Sequence, residues 1–81
     1  MNDNVFIDTN ILIYAYSLSD VKKQSMSSKI LLNNDCIIST QVINEYCNAC
    51  LKKYLMQISD ILLDVNNILD NCELVKMIVL Y

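Results

Sequence analysis

Asp8 and Glu45 are the two residues of this chain whose types and surroundings best suit shared chemistry. Asp8 closes the short apolar run Val5-Phe6-Ile7, and Glu45 lies about one helical turn past a second run, Cys36-Ile37-Ile38, and its sequel Ser39-Thr40. Hard divalent cations such as Mg²⁺ prefer carboxylate oxygens and bound water. A metal held in that way can generate a hydroxide and offset charge on a phosphate. One carboxylate from each of two strand ends, meeting over a sheet, is a reasonable way to build such a site. Plainer roles exist for both residues. Asp8-Thr9-Asn10 is also N-cap chemistry, and Glu45 is also an ordinary solvated helix residue. Spacing alone favours the plainer roles.

Other reactive groups point less far. Cys47-Asn-Ala-Cys50 raises zinc or redox chemistry. A zinc ribbon needs a second close pair, whereas Cys36 and Cys72 are isolated in the sequence, and histidine is absent. Reduced, buried, metal-free thiols are the expectation for Cys47 and Cys50. The net charge is −3, and the lysines occur as Lys22–Lys23, Lys52–Lys53, Lys29 and Lys76. Phosphate affinity normally needs clustered Lys or Arg, so bulk charge gives nucleic-acid binding no support.

The elements that must position these side chains can be read from the apolar pattern. Val5-Phe6-Ile7 is β-prone and apolar on both faces, as a buried parallel strand requires. Ile11–Tyr16 follows as a short helix after the capping residues. Ser19 or Asp20 can cap a second helix to about Asn33, with Val21, Met26, Ile30 and Leu31 only loosely periodic. Cys36-Ile37-Ile38 is a second strand, and Ser39-Thr40 caps the next helix. There Val42, Ile43, Tyr46, Cys47, Cys50, Leu51 and Tyr54 recur at three- and four-residue steps, with Glu45 off the stripe. Helical spacing continues through Leu55, Ile58, Ile61, Leu62, Val65, Ile68 and Leu69, with a bend near Met56-Gln57 and Ser59-Asp60 as the cap. Asn71-Cys72-Glu73 interrupts, and Leu74–Tyr81 is β-prone. Helices between buried strands predict an α/β fold with right-handed crossovers and a short parallel sheet. Chemistry in such sheets gathers beyond the carboxyl ends of the strands. Asp8 and Glu45 are therefore expected to meet at the ends of neighbouring strands.

The wording of two segments carries a family resemblance. Val5-Phe6-Ile7-Asp8-Thr9-Asn10-Ile11-Leu12-Ile13-Tyr14-Ala15 resembles the opening strand and DTN motif of PIN domains. Ile38-Ser39-Thr40-Gln41-Val42-Ile43-Asn44-Glu45-Tyr46 resembles their second acidic segment. The match runs from Val5 to Lys53. It implies a three-layer fold, a sheet flanked by helices, and a Mg²⁺- or Mn²⁺-dependent endoribonuclease of the kind found as toxins in VapBC-type toxin–antitoxin pairs. By the same resemblance Asp8 and Glu45 are the catalytic and metal-binding carboxylates. Asn10, and with it Thr9, helps to order the first of them. RNA, an antitoxin protein or a second PIN chain are the implied partners.

The family places its remaining acidic residues in a C-terminal segment beyond a strand like Leu74–Leu80. Asp60, Asp64, Asp70 and Glu73 sit in no matching motif, and solvated charges or caps are their plainer reading. The expectation is a single truncated PIN-like domain over 1–81, its C-terminal part missing, weakly active or inactive. A non-catalytic module that binds an antitoxin or a homologous PIN chain is the alternative.

The composition bounds the rest. At 81 residues and 54% apolar, the chain is long enough for one small domain and too apolar for disorder. Glycine and proline are both absent, so Asn, Asp and Ser must end its helices. Its start has neither a basic n-region nor a long apolar h-region, and no apolar run approaches the roughly 20 residues of a membrane helix. A soluble, cytoplasmic protein is expected.

Overall fold

The computed structural model describes residues 4–16 and 20–76. Along the chain run β1 (Asn4–Phe6), α1 (Thr9–Tyr16), α2 (Val21–Asn33), β2 (Asp35–Ser39), α3 (Thr40–Lys52), α4 (Ile58–Asn71) and β3 (Cys72–Val75). The strands form one parallel sheet in the order β1-β2-β3, with Val5 opposite Cys36 and Cys36 opposite Cys72. Met77–Tyr81, the rest of the last expected strand, lies outside the described residues, as does Ser19.

Each helix begins for a reason visible in its residues, except the last. The Asp20 carboxylate accepts from the Lys23 N–H at 3.0 Å and caps α2. The Ser39 hydroxyl accepts from the Val42 N–H at 3.2 Å and caps α3. For α4 the expected Ser59-Asp60 cap is not used. Gln57 stands at the N-cap without a side-chain bond, so the helix starts earlier, and Asp60 falls in its first turn near the positive end of the helix dipole. Between α3 and α4 the chain turns at Leu55, which holds a left-handed φ of 51°. With no glycine available, a branched side chain occupies a conformation that suits glycine.

The core lies on one face of the sheet. Ile7, Cys36 and Ile38 are buried there with Leu12, Tyr46, Cys50, Ile61 and Ile68, and Val5 and Cys72 pack beside them. By alternation all five of these strand residues share a face. Phe6 and Glu73 flank Ile37 on the other face and are exposed, Phe6 to 77%. Two right-handed crossovers that step the same way along a sheet put their helices on the same side. The α/β class and the parallel sheet are thus as expected, and the described residues build the sheet and one helical layer.

Tyr46 is the centre of that layer. Its ring is 1% exposed and sits 6.2 Å, centroid to centroid, from Tyr16 of α1. Its hydroxyl donates to Asp64 Oδ2 at 2.9 Å and ties α3 to α4. Asp64 is therefore not the solvated charge its sequence surroundings suggest. Cys50 is buried as the α3 stripe predicts, whereas Cys47 is only half-buried and Leu51 and Tyr54, on the same stripe, are exposed. The loose α2 pattern fails in part: Val21 and Met26 are exposed, and the helix turns Ser27 inward instead. Cys72 and Glu73, expected to interrupt, belong to β3. Among the described residues no helix is long and apolar enough to cross a membrane.

Candidate functional site

The site is assembled by two strand-to-helix turns at the carboxyl ends of β1 and β2. After β1, Ile7 stays in register with the sheet by donating its N–H to the Ile37 carbonyl at 2.9 Å. Asp8 then turns the chain into α1. Its Oδ1 accepts from the Ile11 N–H at 2.9 Å, the geometry of an N-cap. After β2, Ser39 caps α3, and the first turn of that helix carries the chain round to Glu45.

The two turns meet through Thr9. Its hydroxyl donates to Glu45 Oε2 at 2.7 Å, across 36 residues of sequence. Gln41, one turn earlier on α3, donates its Nε2–H to Glu45 Oε1 at 3.2 Å. Both oxygens of Glu45 are thereby oriented, one from each motif. Asp8 and Glu45 are exposed, and Thr9 is half-buried between them in the chain order. The DTN turn and the second acidic segment are joined at one end of the sheet through Thr9 and Glu45. The division of labour differs from the expectation. Thr9 orders the second carboxylate rather than the first, and the donor seen on Asp8 is the Ile11 backbone. Asn10 is exposed in the first turn of α1.

Gln41 had a weak sequence signal that went unread. It stands four residues before Glu45, the spacing at which helix side chains touch. The donors on offer are all hard oxygens, which fits a cation of the Mg²⁺ or Mn²⁺ kind and not a soft one. Among the described residues no three Asp, Glu or Cys side chains gather as a metal-binding group. The other acidic side chains of α4 and β3 go elsewhere: Asp64 binds Tyr46, while Asp60, Asp70 and Glu73 are exposed.

Burial holds the thiols neutral at ordinary pH. Burial pushes Cys36, Cys47 and Cys50 above the ordinary thiol range, and Cys72 to about 11, its rise reinforced by Cys36. Burial likewise raises Tyr46, helped by its bond to Asp64, and Tyr16. None of these groups is activated by a lowered pKa. No family model matches the chain, and no curated protein matches it significantly.

Proposed function

We propose that the chain is a PIN-type, divalent-metal-dependent RNA-cleaving domain whose site is Asp8 and Glu45, with Thr9 and Gln41 as positioning residues. The observation that carries the reading is the Thr9–Glu45 hydrogen bond of 2.7 Å, which joins the two motif segments at the carboxyl end of the sheet. Asp8 and Glu45 would hold the cation. Bound there, a hard divalent cation supplies a hydroxide from its water and offsets the charge of the phosphate. The chain's own groups supply orientation. Thr9 and Gln41 keep the Glu45 carboxylate from rotating, and the Ile11 N–H fixes Asp8.

Two carboxylates hold a strongly hydrated ion only loosely, and small misplacements of a metal and its water cost orders of magnitude in rate. The net charge of −3 adds no attraction for RNA. Slow cleavage is therefore the expectation. A second reading, an interaction module without catalysis, draws on a separate observation: β1 is an edge strand among the described residues, and its last residue, Phe6, is exposed. Unpaired edges and bare apolar sheet faces favour pairing with another chain.

One assay separates the two. Purified chain is incubated with single-stranded RNA and Mg²⁺ or Mn²⁺, beside Asp8→Asn and Glu45→Gln. The nuclease reading expects slow cleavage that chelation and either substitution abolish. Cleavage that survives both substitutions contradicts it, and a folded chain that associates but never cleaves favours the interaction module.

A further inference from the structure

Cys36 and Cys72 are distant in sequence, yet β2 and β3 set them opposite one another on the covered face of the sheet. Opposed residues on neighbouring strands stand about 4.8 Å apart, a distance fixed by strand spacing. That falls within the roughly 4.4–6.8 Å between Cα atoms that a disulfide spans. Both are free thiols. Cys36 is buried, its sulfur 3.6 Å from the carbonyl oxygens of Leu31 and Asn34. Cys72 is half-buried and lines an open cavity of about 210 Å³ with Ala15, Tyr16, Leu31, Leu32 and Ile68. The cavity brings a small reagent to Cys72, and its cross-strand partner Cys36 is buried beside it.

We propose that Cys36 and Cys72 are a redox modification site, closed to an intramolecular disulfide by exchange with a small-molecule disulfide that enters through this cavity. The Cys72 thiolate attacks one sulfur of the reagent, and its S–S bond breaks to release one thiol. The Cys36 thiolate then attacks the Cys72 sulfur of the mixed disulfide and releases the second. Two protein thiols are oxidised, the reagent is reduced to two thiols, and the two protons leave with them. The bridge fastens β3 to β2, the strand that leads into α3 and Glu45. Because burial disfavours both thiolates, exchange is slow at neutral pH and quickens as the pH rises.

The test uses the full chain in a series of oxidised-to-reduced glutathione ratios at pH 8.5. Unreacted thiols are then alkylated and peptides mapped without reduction. The expected product is a monomer whose titratable thiols fall from four to two, with Cys36 joined to Cys72 and Cys47 and Cys50 alkylated. Cys47→Ser/Cys50→Ser retains the bridge, Cys72→Ser lacks it, and dithiothreitol reverses it. A Cys47–Cys50 bridge in its place, glutathione left on Cys72 with Cys36 still alkylatable, or no loss of thiols at any ratio would each overturn the proposal.

Discussion

The Tyr46 hydroxyl and the Asp64 carboxylate meet in a half-buried setting between α3 and α4. A hydrogen bond to a charged group contributes about 1.5–3 kcal/mol, and its loss would leave Asp64 short of a donor away from bulk water. Tyr46→Phe is expected to lower unfolding free energy by about 2 kcal/mol on that scale, read by urea denaturation, with the fold retained. A second consequence at this scale concerns pH. The folded chain holds its cysteines and two of its tyrosines protonated above their ordinary ranges. A thiol raised in the folded state contributes stability that is complete below its unfolded value and lost as the pH climbs towards the folded one. For Cys72 that window runs from 9.0 to about 11. The urea midpoint should be level through neutral pH and fall steadily above pH 9. A midpoint that rises over that interval would show that the thiols are not held neutral. Asp8 and Glu45 were legible as candidates because motif wording singled them out. Asp64 and the Cys36–Cys72 pair were not, since each depends on a partner in another element that no local pattern names.

At the scale of elements, the strands and helices follow from periodicity and caps wherever those signals are strong. The α3 stripe is the clearest, and its buried residues Tyr46 and Cys50 lie on it. In α2 the apolar positions are too loosely spaced to define a face, and Ser27 is buried while Val21 and Met26 are exposed. The α4 start was misplaced because Ser59-Asp60 offers good capping chemistry, but the chain had already entered the helix at Ile58. What determines that entry is the turn at Leu55, after which the Met56 N–H bonds to the Cys50 carbonyl at 2.9 Å. A left-handed conformation costs a residue with a Cβ about 1–2 kcal/mol, and the Leu55 side chain is 81% exposed, so little packing offsets it. Leu55→Gly is expected to raise stability by about 1 kcal/mol, the strain relieved less the entropy glycine loses on folding. Thermal unfolding measures it, and a fall in melting temperature would mean that Leu55 packs in a way its exposure does not suggest.

For the whole molecule, the sheet carries its core on one side, and three parallel strands bring two strand-to-helix turns to one end. Parallel topology was legible from the alternation of buried strands and helices. Which face the described residues leave uncovered was not, because it follows from strand order and crossover hand together. The proposed site is Asp8 and Glu45, the latter hydrogen-bonded to Thr9 next to Asp8, as a weak site for a hard divalent cation. Titration of the chain with Mn²⁺, followed by the electron paramagnetic resonance signal of the free ion, tests it most directly. The account predicts one weak site that Mg²⁺ displaces and that Asp8→Asn and Glu45→Gln each remove while the circular dichroism spectrum is unchanged. Binding that persists in both variants, or no Mn²⁺ binding by the folded chain, would contradict it.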